Sequence, residues 1–214
     1  MVTTPVIDLI EAIPPEISSD QNGVQNSQIL VTLEEYRAIS ETAVERLEYR
    51  DGEIFIMSGG SHPHSRIAVN IMVILGIALR DTSFEVCNGD MRIWIPEFNC
   101  GTYADALVID GAPEFNGDRT DEILNPALIV EVLSPSTQGY DRGEKFRKYR
   151  SIPSLREYLL VSQSEPYIEH YFKPENSDIW QFQICDRIEQ KIILHSLNIE
   201  VPLAEIYRRI IDVK

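Results

Sequence analysis

Three ionisable residues, widely separated along the chain, have the types and settings needed to hold a divalent cation against a phosphate. The first is Glu131, which stands inside the run Ala127-Leu128-Ile129-Val130-Glu131-Val132-Leu133. A run that apolar has the composition of a strand buried on both faces. An ionised carboxylate without partners there costs several kcal/mol. Glu131 is therefore protonated, paired with a cation, or bound to a metal. The second is Asp105, which opens another apolar run, Asp105 to Ile109, closed by the turn signal Asp110-Gly111. Two neighbouring strands, each with one carboxylate at an end, bring both acids to one cation. Hard oxygen ligands suit Mg²⁺, which keeps several waters and bridges to phosphate oxygens. The third is Lys145, one helical turn from Tyr149 in the segment Asp141 to Arg150. An amine there could orient or activate an attacking water and offset charge on a phosphate. An ordinary structural ion pair for Glu131, and a solvated basic face for the helix, are the alternatives.

The order of these pieces resembles the Uma2 family, a bacterial group of restriction-endonuclease-like proteins within the PD-(D/E)XK nuclease superfamily. The matching residues are Tyr103 and Asp105, Glu131 to Thr137, Asp141, Arg142, Lys145, Tyr149, and Glu157-Tyr158. Upstream, Leu47-Glu48, Asp51-Gly52-Glu53, Met57-Ser58 and His64 resemble the family's opening motif. The likeness covers about residues 30 to 210 and departs in two places. Ala104 stands where the superfamily has proline before the aspartate, and Leu133 stands where its motif has lysine. The resemblance implies that Lys145, from the next helix, substitutes for that lysine. It also implies a restriction-endonuclease-like mixed sheet flanked by helices, and Glu48 as a third acidic position near the metal. Without the resemblance, Glu48 reads as a surface strand residue.

These residues need elements to position them. Thr32 and Glu35 form a capping-box signature for a helix from Leu33 to about Ile39, with a second short helix from Glu41. Asp51-Gly52 predicts a hairpin joining residues 46–50 to 53–57. His62-Pro63-His64 lies in a loop, without companions at zinc-ligand spacing. His64 is expected to start a helix to about Arg80 and to face the site. Ile67, Ile71, Ile74, Leu75, Ala78 and Leu79 form that helix's core stripe. Strands follow at 84–87, 91–95 and 103–109, then a polar loop at 111–125 able to overhang the site. After the Glu131 strand, Ser134-Pro135 turns the chain and Asp141 is expected to cap a helix opening at Arg142. Arg142 and Tyr149 read as supports. Four more strands and a terminal helix at 203–211 complete a mixed α/β fold with one central sheet.

Length and composition fit one domain, residues 30–214, behind an arm at residues 1–29 rich in proline and polar residues. Within that arm Val6-Ile7-Asp8-Leu9-Ile10 is apolar. No apolar run approaches the roughly 20 residues that span a bilayer. Residues 1–30 show no basic stretch followed by an apolar one, and the three cysteines have neither zinc nor redox spacing. A cytoplasmic protein with free thiols is expected. No phosphate-binding glycine loop and no GxSxG elbow occurs. The net charge of −15 argues against a polyanionic partner, although salt screens distant charge and the 142–150 segment is locally basic. The expectation is an endonuclease using Mg²⁺ or Mn²⁺ on DNA, assembled as a homo-oligomer, most simply a dimer. Its rival is an inactive nuclease scaffold serving as an interaction module.

Overall fold

The computed structural model describes residues 30–57 and 59–210. The expected arm at residues 1–29, Ser58 of the opening motif and residue 211 of the expected terminal helix lie outside the described residues. The described fold begins with helix α1, Leu33–Thr42, one helix where two were expected. Thr32 and Glu35 cap it reciprocally, as the capping-box signature requires. The hairpin β1, Leu47–Arg50, and β2, Glu53–Ile56, follows. Asp51 and Gly52 both take positive φ, 48° and 101°, the geometry that joins twisted strands tightly. Helix α2, His62–Leu79, starts two residues earlier than expected because Ser61 caps it through His64 N–H.

Next come β3, Phe84–Asn88, β4, Arg92–Ile95, and β5, Cys100–Tyr103. The expected strand at 103–109 divides after Tyr103. Its second part is β6, Ala106–Asp110, so Asp105 sits in the break. A short β7, Glu122–Ile123, interrupts the polar loop, and β8, Pro126–Leu133, carries Glu131. A helical run from 138 to 149, here α3, is followed by β9, Glu157–Ser162, β10, Ile168–Phe172, and β11, Gln181–Cys185. A hairpin, β12 (Lys191–Leu194) with β13 (Ile199–Pro202), and helix α4, Leu203–Ile206, end the described fold. The second hairpin strand was not anticipated, and α4 is shorter than expected.

The expected mixed sheet is present, and the strands divide into two larger sheets and the β12–β13 hairpin. Of the larger two, one runs β2-β1-β5-β4-β7 and the other β11-β10-β9-β8-β6-β3. The β8–β9 pair is parallel while β6–β8 is antiparallel, so the larger sheet is mixed. Its two faces explain the apolar run around Glu131. Leu128, Val130 and Val132 point to α2, meeting Ile67, Ile71 and Leu75. Ile129 and Leu133 point the other way, towards Phe146 and Tyr149 of α3 and Ile93 and Ile95 of the smaller sheet. Strand alternation therefore puts Glu131 on the α3 side. A third cluster, Tyr36, Ile39, Leu47, Tyr49 and Trp94, seats α1 on the smaller sheet.

The loop at 111–125, expected to be able to overhang the site, commits two of its carboxylates to arginines of its own surroundings. Asp121 pairs with Arg92 and Arg119, and Glu122 with Arg37 and Arg92. Those pairs fasten β7 beside β4 at the far edge of the smaller sheet.

Candidate active site

β8, β1 and α3 converge between the sheets, with the end of β5 beside them. Glu131 comes from β8, at a position where its neighbours on the same face are Ile129 and Leu133. Glu48 comes from β1, whose burial makes it an interior residue and not the surface strand glutamate expected from composition. Lys145 and Asp141 come from α3. That run starts at Gln138, so Asp141 is inside the helix and not its cap. Residues Asp141–Lys145 form a π-helical turn before the α-helical Phe146–Tyr149. Such widened turns re-aim side chains and recur at functional sites. Here the turn brings Lys145 Nζ 3.7 Å from Asp141 Oδ1.

Lys145 is 4% exposed and Glu131 5%. Lys145 Nζ lies 2.8 Å from Glu131 Oε1 and donates to the Tyr103 carbonyl oxygen at 2.8 Å. Glu48 Oε1 is 3.8 Å away. Tyr149 donates its hydroxyl to Glu131 Oε1 at 3.0 Å. Burial pushes the Glu131 carboxyl well above the usual range, Lys145 pulls against it, and Asp141 and Asp105 add to the rise. Burial acts the other way on Lys145, but Glu131, Glu48 and Asp141 outweigh it and raise the amine above its ordinary value. Burial would also raise Glu48, yet Lys145 and Arg50 hold its carboxyl below the usual range. Asp141 is raised, by burial first and against the pull of Lys145.

Asp105 stands beside this cluster at the break before β6. Its backbone N–H reaches the Val130 carbonyl at 3.0 Å, which keeps it level with Glu131 on the neighbouring strand. Its Oδ2 accepts the Val132 N–H at 2.6 Å and lies 3.4 Å from His64 Nε2. His64 thus faces Asp105 from the first turn of α2. Burial lowers its affinity for a proton, but the hydrogen bond and charge of Asp105 outweigh that and raise its pKa.

Arg142, expected as a support, points elsewhere: its guanidinium takes Glu169 at 2.7 Å and Gln138 at 2.8 Å. The basic face is also smaller than its sequence suggests. Lys145 is buried in the site, Lys148 is buried and paired with Glu144, and Arg147 and Arg150 remain exposed. Leu133, standing where the motif wants lysine, is buried in the apolar cluster beneath α3.

The donor set suits a hard cation. No group of three or more histidine, cysteine or acidic side chains forms a metal cage among the described residues. Two carboxylates, though, each keep an oxygen uncommitted among the described residues. Glu131 spends Oε1 on Lys145 and Tyr149, and Asp105 spends Oδ2 on Val132 and His64. One or two carboxylates with several waters is the arrangement Mg²⁺ prefers. Asp105 Oδ1 and Glu131 Oε2 are the atoms that would hold it.

Sequence reasoning missed three residues of this cluster. Arg50, two positions after Glu48 on the same strand face, grips Glu48 Oε2 at 2.6 Å. Thr102 donates its hydroxyl to Glu48 Oε1. Asp141, read as a cap, lies four positions before Lys145, a spacing that itself signals an ion pair.

A family model described as "Putative restriction endonuclease", Uma2, matches residues 33–204. The chain is 40% identical over 144 residues to the "Uncharacterized protein sll1609" of Synechocystis sp., covering 67% of this chain and 81% of that one. It is 40% identical over 170 residues to "Uncharacterized protein slr1290" of the same organism, covering 78% and 88%. Among solved structures, a "putative nuclease belonging to DUF820" from Anabaena variabilis superposes with a TM-score of 0.68. That likeness covers 84% of this chain and 99% of the other at 15% identity, and shows a shared fold.

Proposed function

The chain belongs to the Uma2 family, and on that premise we propose that it is an endonuclease that hydrolyses DNA phosphodiesters with Mg²⁺ or Mn²⁺. The observation that carries the reading is the contact of Lys145 Nζ with Glu131 Oε1 at 2.8 Å, next to Asp105 on the neighbouring strand. An amine supplied by α3 thereby stands in for the one Leu133 lacks. Asp105 and Glu131 would hold the cation, which when bound supplies Lewis-acid polarisation of the phosphate and stabilises the leaving oxygen.

The chain's own groups have separate tasks. Lys145 presents its donors beside Glu131, where they orient the attacking water and offset charge building on the phosphate. The water oxygen gives up a proton to solvent and forms a bond to phosphorus as the bond from phosphorus to the leaving sugar oxygen breaks, and that oxygen takes a proton from solvent. Tyr149 fixes the Glu131 carboxylate by its hydrogen bond. His64 and the Val132 N–H fix Asp105. A homo-oligomer belongs to the same reading, and the outer face of α2 exposes Val69, Val73 and Ile77.

The near-complete burial of Glu131 and Lys145 favours a second reading, a nuclease scaffold that no longer turns over. Plasmid nicking separates the two. The endonuclease reading expects wild-type protein with Mg²⁺ or Mn²⁺ to relax supercoiled DNA, and Glu131→Ala to be inert. Equal inertness of both proteins across metals and DNA forms supports the scaffold.

A further inference from the structure

Glu48 and Arg50 lie two residues apart on β1 and point into the same chamber. Arg50 meets Glu48 Oε2 with two donors, Nε at 3.2 Å and Nη2 at 2.6 Å. Its guanidinium is itself clamped, with the rings of Phe55 and Tyr140 each 3.9 Å from its centre. Glu48 Oε1 takes the Thr102 hydroxyl and faces Lys145 Nζ at 3.8 Å. Both oxygens of Glu48 are therefore committed to protein groups, whereas Glu131 and Asp105 each keep one uncommitted among the described residues. That difference separates a ligand from a residue that sets the position of something else.

What it positions is Lys145. The ammonium is surrounded by Glu131 of β8, Glu48 of β1, Asp141 of α3 and the Tyr103 carbonyl of β5. Two glutamates compete for one amine. Lys145 sits on Glu131 at 2.8 Å and stays 3.8 Å from Glu48. An arginine stacked between aromatic rings, with two donors on one carboxylate oxygen, is a strong neutralising partner for a buried carboxylate. We propose that Arg50 is a positioning residue for Lys145: by taking up the charge of Glu48, it leaves Lys145 on Glu131, and Glu48 is not a metal ligand. The inference rests on the endonuclease reading and deepens it.

The consequence has two opposite signs. Without Arg50, an unneutralised Glu48 draws Lys145 away from Glu131. Glu131 then loses its competitor for the cation while the reaction loses its amine. Removing the Glu48 charge as well abolishes the competition, and Lys145 returns.

The test compares wild type, Arg50→Gln, Glu48→Gln and the double variant by Mn²⁺ titration calorimetry and by plasmid nicking. In Arg50→Gln, Mn²⁺ affinity is expected to rise and the nicking rate to fall by about tenfold or more, the scale of one hydrogen bond to a charged group. In the double variant both values return towards wild type. Arg50→Met, which keeps the stem but not the charge, serves in place of Arg50→Gln if that protein does not fold, with the same expected directions and rescue. An Mn²⁺ affinity that does not rise, or a double variant as slow as Arg50→Gln, overturns the assignment. So does Glu48→Gln if it abolishes Mn²⁺ binding, since Glu48 would then be a ligand. The endonuclease reading fails differently: wild-type protein then binds no Mn²⁺, and the inference falls with it. If wild type binds Mn²⁺ but does not nick, the affinity change alone decides the role of Arg50.

Discussion

The Tyr149 hydroxyl is one of two donors on Glu131 Oε1, and Lys145 is the other. Tyr149→Phe removes it without opening the core. A hydrogen bond to a charged group is worth about 1.5–3 kcal/mol, so the nicking rate is expected to drop by about tenfold to a hundredfold. A thermal melt checks that the variant stays folded. Glu131 was legible in sequence because a carboxylate interrupts an otherwise apolar strand, and only function or an ion pair explains that. Lys145 was legible through the family's spacing. Arg50 was not, because a charge on a short strand reads as solvated until a partner from elsewhere buries it, and Asp141, a matching family position, read as a helix cap and not as a partner of Lys145. Arg142 shows the reverse error: it occupies a motif position, but Glu169 from β10 captures it.

At the scale of elements, the β1–β2 turn determines where Glu48 stands. Gly52 has φ of 101°, and a Cβ there would lie 3.2 Å from the Leu30 side chain. Gly52→Val is expected to destabilise the protein by more than about 1 kcal/mol, read as a lower urea midpoint. The pairing of β7 makes a pH prediction. The Arg119 hydrogen bond, then Arg92 and Arg119 by charge, hold the Asp121 carboxyl below its usual range against partial burial. A carboxyl depressed in the folded state adds stability above its unfolded value, and that contribution disappears as pH falls through the folded value. Asp121→Asn should therefore lower the melting temperature at neutral pH and match wild type in strong acid. Asp121 is 44% exposed, so the loss stays within about 1 kcal/mol. Helix α2, the first hairpin and the strands around Glu131 were all visible as periodicity and turn chemistry. The division at Tyr103-Ala104-Asp105 was not. No glycine or proline marks it, and it arises only because β5 and β6 pair with strands of different sheets.

For the whole molecule, the net charge of −15 sets the terms on which a polyanion could approach. Arg147 on α3 and Arg150 at its end are exposed, over Phe98 and Phe146 respectively. In a Glu131→Gln background, Arg147→Ala is expected to weaken DNA binding. It should also reduce the slope of log affinity against log salt by about one, as for one lost phosphate contact. Fluorescence anisotropy over a salt series measures it. The mixed fold and the single family-wide likeness were accessible from sequence, since alternating apolar patterns and spaced motifs survive without coordinates. How the site's charges share partners was not, because that depends on which groups the two sheets press together. The central claim is that Asp105 and Glu131 share one hard cation beside Lys145. Crystals grown with Mn²⁺ and measured at its absorption edge test it directly. The account predicts an anomalous peak about 2.1–2.2 Å from one oxygen of each carboxylate; no peak there, or one elsewhere that excludes Glu131, contradicts it.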